Sequence, residues 1–155
     1  MKTKDPILII ANGESILKYN LGIKIDTYPI IARINNYRLE GYEDKIGTKT
    51  NIWINGANSK LEKKRTYPDR ILTFIPSEIL IKKQKNINYH VSNRLKLDSD
   101  KFEVIGLNSI KNFEEKVKHN RLTTGLYSIL WAIEHYNEVI IHGFDFFINS
   151  GISLL

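Results

Sequence analysis

Four consecutive aliphatic residues, Ile7-Leu8-Ile9-Ile10, stand near the start of this chain with nothing polar between them. A strand with one solvated face alternates apolar and polar residues. An unbroken apolar run instead marks a strand buried on both faces, the situation of a parallel sheet covered by helices. The run extends from Pro6 to Ala11 and stops at the turn signal Asn12-Gly13. Similar runs recur at Tyr28–Arg33, with Pro29 at the first strand residue where a missing N–H is tolerated, and at Asn51–Asn55. Others are Arg70–Ile75, ended by Pro76, then Lys101–Ile105 and Glu138–His142.

Helical patterns fall between these runs. Glu14–Tyr19 suits a helical turn, and Ser77 reads as the cap of a helix reaching Lys85. Asn108 or Ser109 reads as the cap of another ending at Lys118, whereas residues 86–100 are polar and weakly patterned. The clearest helix follows Thr123-Thr124. Leu126, Ile129, Leu130 and Ile133 fall at i, i+3, i+4 and i+7, and Tyr127 and Trp131 broaden that apolar face. Apolar strands alternating with helices predict an α/β fold with a mainly parallel sheet flanked by helices, in one domain spanning residues 1–155.

Composition narrows the function classes. With 42% hydrophobic and 26% charged residues in 155, the chain can bury a continuous core and is not a disordered tail. No stretch approaches the ~20 apolar residues that cross a bilayer, and the N-terminus lacks a signal peptide's apolar segment, so a cytoplasmic or membrane-peripheral location is expected. The absence of cysteine excludes disulfides, thiolate catalysis and Cys-ligated zinc. His90, His119, His135 and His142 show no metal-ligand spacing, so no metal is expected. The net charge is +6, with basic clusters at Lys60–Arg65 and Lys82–Lys85. Without interleaved aromatics these read as solvated surface, and no nucleic-acid partner is expected.

Open α/β sheets bind ligands beyond the carboxyl ends of their strands. Asn12-Gly13, Asn35-Asn36, Asn55-Gly56 and Gly143-Phe144-Asp145 each follow a different predicted strand, and Thr123-Thr124-Gly125 opens the long helix. A helix N-terminus favours an anion, amides suit ribose and base, and glycine permits close backbone approach. This equipment suits a nucleotide, yet neither G-x-G-x-x-G nor G-K-[ST] is present. His142, at a strand end, reads as a core or supporting residue; His90 and His119 read as exposed.

Two segments carry a resemblance. The first contains Asn12, Gly22, Ile25-Asp26, Arg33-Ile34-Asn35 and Ile46-Gly47-Thr48-Lys49-Thr50. It resembles the large sialylmotif of the sialyltransferases of glycosyltransferase family 29. The second, with Thr123-Thr124-Gly125, Glu138-Val139 and Gly143-Phe144, resembles the small sialylmotif. The turn Asn12-Gly13-Glu14-Ser15, the run Arg121–Gly125 and the end Gly143–Phe146 are also similar to the bacterial sialyltransferases of family 42.

The resemblance implies a Rossmann-like, GT-A-like sheet of the sialyltransferase type. It would bind CMP-sialic acid without metal or other cofactor and transfer the sugar to a glycan or lipooligosaccharide hydroxyl. It places Asn12 and Asn35 on the phosphate and ribose of CMP, within a turn that includes Gly13 and Ser15. Thr123, Thr124 and Gly125 would line the phosphate and the donor carboxylate. Gly143 would admit the nucleotide, and Asn55 and Asp145 would meet donor or ribose hydroxyls. Phe147 stands where family 42 commonly has tyrosine. Both families place a catalytic histidine after the small motif, and none follows His142 here. The resemblance therefore implies a member lacking the C-terminal catalytic portion, with its general base unassigned. The alternatives are a non-catalytic CMP- or nucleotide-sugar-binding domain, a degenerate relative, or a transferase using another nucleotide sugar.

Overall fold

The computed structural model describes residues 1–145. Six strands form its sheet: β1 (Ile7–Ile10), β2 (Ile30–Ile34), β3 (Ile52–Asn55), β4 (Arg70–Thr73), β5 (Glu103–Val104) and β6 (Val139–His142). Their order is β5-β4-β3-β2-β1-β6, and every pairing is parallel. The chain builds outward from β1 to β5 on one side and then returns to place β6 on the other side of β1. The strand order therefore reverses at β1, the position where open α/β sheets form a ligand crevice.

The unbroken apolar runs of β1, β2 and β3 are explained by burial on both faces, whereas the edge strand β6 leaves Ile141 43% exposed. Ile7 and Ile9 face a large core with Ala32, Ile34, Phe74, Phe113 and Trp131, whereas Leu8 and Ile10 face a smaller one with Ile25 and Ile31. The smaller layer is closed by a 3-10 turn (Glu14–Leu17) and by α1 (Gly22–Asp26), the larger one by longer helices.

Several boundaries differ from the sequence reading. The fourth strand ends at Thr73 and the fifth shrinks to two residues. Short helices at α1 and at α2 (Glu43–Ile46) were too brief to produce a periodic signal. The weakly patterned stretch holds α4 (Ile87–Leu95), which buries only Val91 and Leu95 and needs no wider apolar stripe. Ser77 is the first residue of α3 (Ser77–Lys83) rather than its cap, because its hydroxyl donates to Glu114 at 2.5 Å. Gly106, not Asn108 or Ser109, precedes α5 (Leu107–Val117).

The long helix α6 (Thr124–His135) is capped by Thr123, whose hydroxyl oxygen accepts the Leu126 N–H at 3.2 Å. Its buried stripe is rotated from the expected one. Tyr127, Ser128, Trp131 and Ala132 are buried, while Ile133 is 50% exposed. The rings decide this: Phe74 stacks on Tyr127 at 6.1 Å and meets Trp131 edge-on at 6.3 Å. Aromatic side chains remove more area from water than an aliphatic one, so the helix turns them inward.

Candidate nucleotide site

The turn after β1 is locked to the turn after β6. The Gly13 N–H donates to the Gly143 carbonyl at 2.9 Å. The Ser15 N–H donates to Asp145 Oδ2 at 3.0 Å, and the Ser15 hydroxyl donates to Oδ1 of the same carboxylate. The two Ser15 bonds hold the Asp145 carboxyl below the usual carboxylate range. No side chain fits at Gly13, since a Cβ there would lie 2.4 Å from Asp145 Cγ and 2.5 Å from the Gly143 carbonyl. Gly143 takes φ +77, a region costly for other residues.

The next contacts run along the sheet edge. Asn12 Nδ2 donates to the Ile34 carbonyl at 2.8 Å, tying β1 to the end of β2. Asn35 stands at φ +50, and its Oδ1 accepts the Gly56 N–H at 3.1 Å, tying β2 to the end of β3. A Cβ on Gly56 would lie 2.7 Å from Thr124 Oγ1. A Cβ on Gly125 would lie 2.9 Å from the Phe144 ring and 3.9 Å from Ile34 Cδ1. The first turn of α6 thus sits against the ends of β2 and β3 and the segment after β6. Asn12, Gly13, Asn35, Gly56, Thr124, Gly125 and Gly143 form one continuous rim.

Several of these residues keep a polar atom without a partner among the described residues. Asn12 uses its amide nitrogen and leaves Oδ1. Asn35 uses Oδ1 and leaves its NH2. Asn55 is fully buried, with Oδ1 accepting the Ala57 N–H at 3.1 Å and the Thr73 hydroxyl at 3.2 Å, while Nδ2 has no partner. The Ala57 N–H can only donate, which fixes the Asn55 oxygen toward it and the NH2 away. At α6, Thr123 satisfies the Leu126 N–H, and the Tyr127 N–H returns to the Thr123 carbonyl. The N–H groups of Thr124 and Gly125 remain at the positive end of the helix.

Other motif residues are scaffold. Arg33 is fully buried; its Nη2 donates to the carbonyls of Ile46 and Lys49 at 2.8 and 2.9 Å, and its Nε donates to Lys49 O and Thr50 Oγ1. Burial pulls its pKa down to about 10, with the Asp26 carboxylate opposing. Asp26 accepts the N–H groups of Thr48 and Lys49. Burial raises its pKa, but those N–H donors outweigh it and hold the carboxyl below the ordinary range. Asn36 pins the β3–β4 connection, its Nδ2 donating to Lys60 O at 3.0 Å and its Oδ1 accepting the Glu62 N–H at 2.8 Å.

His142 pairs in register with Ile10, as Ile140 does with Leu8, so it lies on the smaller-core face with its Nε2 buried and without a partner among the described residues. Burial pushes its pKa down, with Asp145 opposing. The supporting role expected for it fits that position. His90 differs from its expected exposure, being half-buried in a groove between α3 and α4. Phe147 lies outside the described residues.

Sequence reading missed one buried carboxylate. Glu114 on α5 accepts the Ser77 N–H at 3.0 Å, the Ser77 hydroxyl and the Tyr127 hydroxyl at 2.7 Å, and the Tyr127 oxygen accepts the Leu122 N–H at 3.3 Å. This network sets the loop that leads into α6. Its signal was available: Ile110, Phe113, Glu114 and Val117 follow helical spacing, which puts a carboxylate on the apolar face.

With this geometry in view, known proteins give a consistent comparison. Residues 7–153 match the sequence pattern of Glycosyltransferase family 29 (sialyltransferase). The human CMP-N-acetylneuraminate-beta-1,4-galactoside alpha-2,3-sialyltransferase is 30% identical over 60 residues, 39% of this chain and 16% of that protein. The mouse Type 2 lactosamine alpha-2,3-sialyltransferase is 25% identical over 165 residues, covering 90% of this chain and 50% of that protein. The crystal structure of a mammalian sialyltransferase superposes with a TM-score of 0.72 at 18% identity, covering 91% of this chain and 55% of that one. The chain spans half or less of the length of these curated relatives.

Proposed function

This chain belongs to glycosyltransferase family 29, the sialyltransferases, and we propose that it binds a CMP-sugar donor, CMP-sialic acid by family, at the rim around the β1 switch point. The sugar would pass to a hydroxyl of a glycan or lipooligosaccharide. The observation that carries the reading is the set of polar groups left over on that rim: Asn12 Oδ1, the amide of Asn35 and the first-turn N–H groups of α6.

Each has a role in the proposal. The Thr124 and Gly125 N–H groups meet the donor phosphate, where the helix dipole adds to their hydrogen bonds. As the glycosidic bond breaks, negative charge grows on that phosphate, and fixed donors stabilise it without reorganisation. No metal is invoked, because these donors carry that charge. The Asn35 amide donates to a ribose or sugar hydroxyl, and Asn12 Oδ1 accepts from one, whereas the fully buried Asn55 holds the end of β3 and does not reach the donor. Asp145 holds Ser15 through both carboxylate oxygens and shapes the turn. No general base is assigned, since His142 sits on the smaller-core face of the sheet. The protein would work in the cytoplasm or against a membrane surface, where lipid-linked acceptors are met.

Calorimetric titration with CMP, with UMP as competitor, tests the reading. Asn35→Gly is the control variant. It suits the φ of +50, where Ala would add strain of its own. CMP-selective binding that this variant loses is the expected result. Preference for UMP would point to another nucleotide sugar, and no binding of either nucleotide would refute the proposal.

A further inference from the structure

Beside the nucleotide rim runs a second concavity of about 590 Å³, within the range of roughly 300–1,000 Å³ common to ligand sites. The start of the β3–β4 connection, α3, α4 and the loop before α6 enclose it. Its floor includes Ile75 and Ile79, and its walls carry Lys82, Lys83, Arg94 and Arg121 against a single carboxylate, Glu78. That carboxylate is paired with Arg121. The groove therefore has an excess of positive charge. The half-buried His90 feels this: after burial itself, Lys83 and Arg94 are what hold its pKa down.

Two features show that this groove is built and placed rather than incidental. Arg121 is held at φ +53, a conformation costly for a residue with a Cβ. Its N–H is accepted by Glu114, the carboxylate that also fixes Ser77 at the start of α3. One buried group thus sets both walls. The groove also meets the nucleotide rim directly, since Gly56 lines it and a Cβ there would touch Thr124 Oγ1.

We propose that this cationic groove is the acceptor subsite and that the acceptor is an acidic glycan, carrying carboxylate or phosphate on the sugars next to the reacting hydroxyl. The inference rests on reading the adjoining rim as a CMP-sugar site. The chemistry fits a sugar in two ways. An apolar floor suits the C–H face of a pyranose, and guanidinium forks flanking it suit carboxylate or phosphate in bidentate geometry. A single-stranded nucleic acid would want rings to stack on, and no Phe, Tyr or Trp among the described residues lines the groove. An anionic bilayer would meet a flat or convex basic face, whereas these cations line a concavity that holds a carboxylate.

The test titrates the 155-residue chain with tri-galacturonic acid and with neutral galactotriose. The charged trisaccharide should bind roughly tenfold tighter or better, and the gap should collapse near about 1 M salt, where the screening length falls to about 3 Å. A Lys82→Glu, Arg94→Glu double variant should lose roughly tenfold in affinity for it at an unchanged unfolding midpoint, since both side chains are exposed. Equal binding of the two sugars, or a variant that binds the acidic one as tightly as the parent, would overturn the proposal. So would variant-sensitive binding of phosphatidylglycerol vesicles without binding of tri-galacturonic acid. A parallel CMP titration separates the two readings. CMP binding without acidic-sugar binding removes the groove proposal alone, and acidic-sugar binding without CMP binding removes the donor assignment and with it the groove's role as acceptor subsite, leaving only a site for acidic glycans.

Discussion

Replacing Glu114 tests the central scaffold of this molecule. Its carboxylate is buried and receives the Ser77 N–H, the Ser77 hydroxyl, the Tyr127 hydroxyl and the Arg121 N–H, with no cation paired to it among the described residues. Burial by itself raises its pKa; the donors, Ser77 first, more than offset this and hold the carboxyl below the ordinary range. Glu114→Ala leaves the Tyr127 hydroxyl and the Ser77 N–H without their acceptor, at about 1–3 kcal/mol each, or about 2–6 kcal/mol together. For a domain of this size that lowers Tm by about 4–24 °C. Glu114→Gln keeps one oxygen in place, and the Ser77 hydroxyl can turn to accept from the new amide, so about 1–2 kcal/mol is expected. The pH dependence has a definite sign. A carboxyl whose folded pKa is lowered contributes stability above its unfolded pKa of about 4.3, and loses it as pH falls through the folded value. Urea unfolding at pH 7, 5 and 3 should therefore show a gap between parent and Gln variant that narrows toward acid. A Gln variant equal to the parent at pH 7, or a gap independent of pH, would refute the charged, donor-supported carboxylate.

Substitutions at three further positions probe the rim and its scaffold. Gly13→Ala drives a Cβ into Asp145 and the Gly143 carbonyl and should cost about 1–3 kcal/mol in urea unfolding. Gly56→Ala meets only the movable Thr124 hydroxyl, so it should cost under about 1 kcal/mol yet weaken CMP measurably by calorimetry. Arg33→Lys cannot reproduce the fork that holds the Ile46 and Lys49 carbonyls. It should lower stability by about 2–4 kcal/mol by thermal melting, and Arg33→Gln, which keeps donors but loses the fork, should not rescue it.

The parallel sheet was legible because burial on both faces demands apolar strands, a demand few other structures make. Ile7–Ile10 and Ile52–Ile54 satisfied it, and Val139–Ile141 kept the apolar run on an edge strand where Ile141 is 43% exposed. The short helices were not legible, since one or two turns supply too few positions for a period. The rotation of α6 was missed for a different reason. Counting aliphatic residues at helical spacing gives Leu126, Ile129, Leu130 and Ile133 the buried face, but the partners across the interface are rings. Periodicity locates a stripe and leaves open which neighbour will fill it.

The rim raises a sharper difficulty. A polar residue at a strand end can bind a ligand or can hold the turn, and the two demand the same residue types. Arg33, Asp26, Thr48 and Lys49 belong to the same motif as Asn12 and Asn35 and look no different in sequence. Their difference lies in which atoms are already engaged. Arg33 gives three hydrogen bonds to backbone carbonyls and keeps its remaining Nη1, unpartnered among the described residues, fully buried away from any ligand, and Asp26 takes two backbone N–H groups onto its oxygens. Asn12 and Asn35 each commit one end of an amide to the scaffold and present the other. An amide is suited to this double duty, because its donor and acceptor sit on separate atoms and one can be fixed while the other faces outward. On this argument the motif's asparagines are placed by the fold they help to hold. Replacing one disturbs the rim's geometry and its chemistry together, so Asn35→Gly must be read by nucleotide affinity and unfolding midpoint side by side.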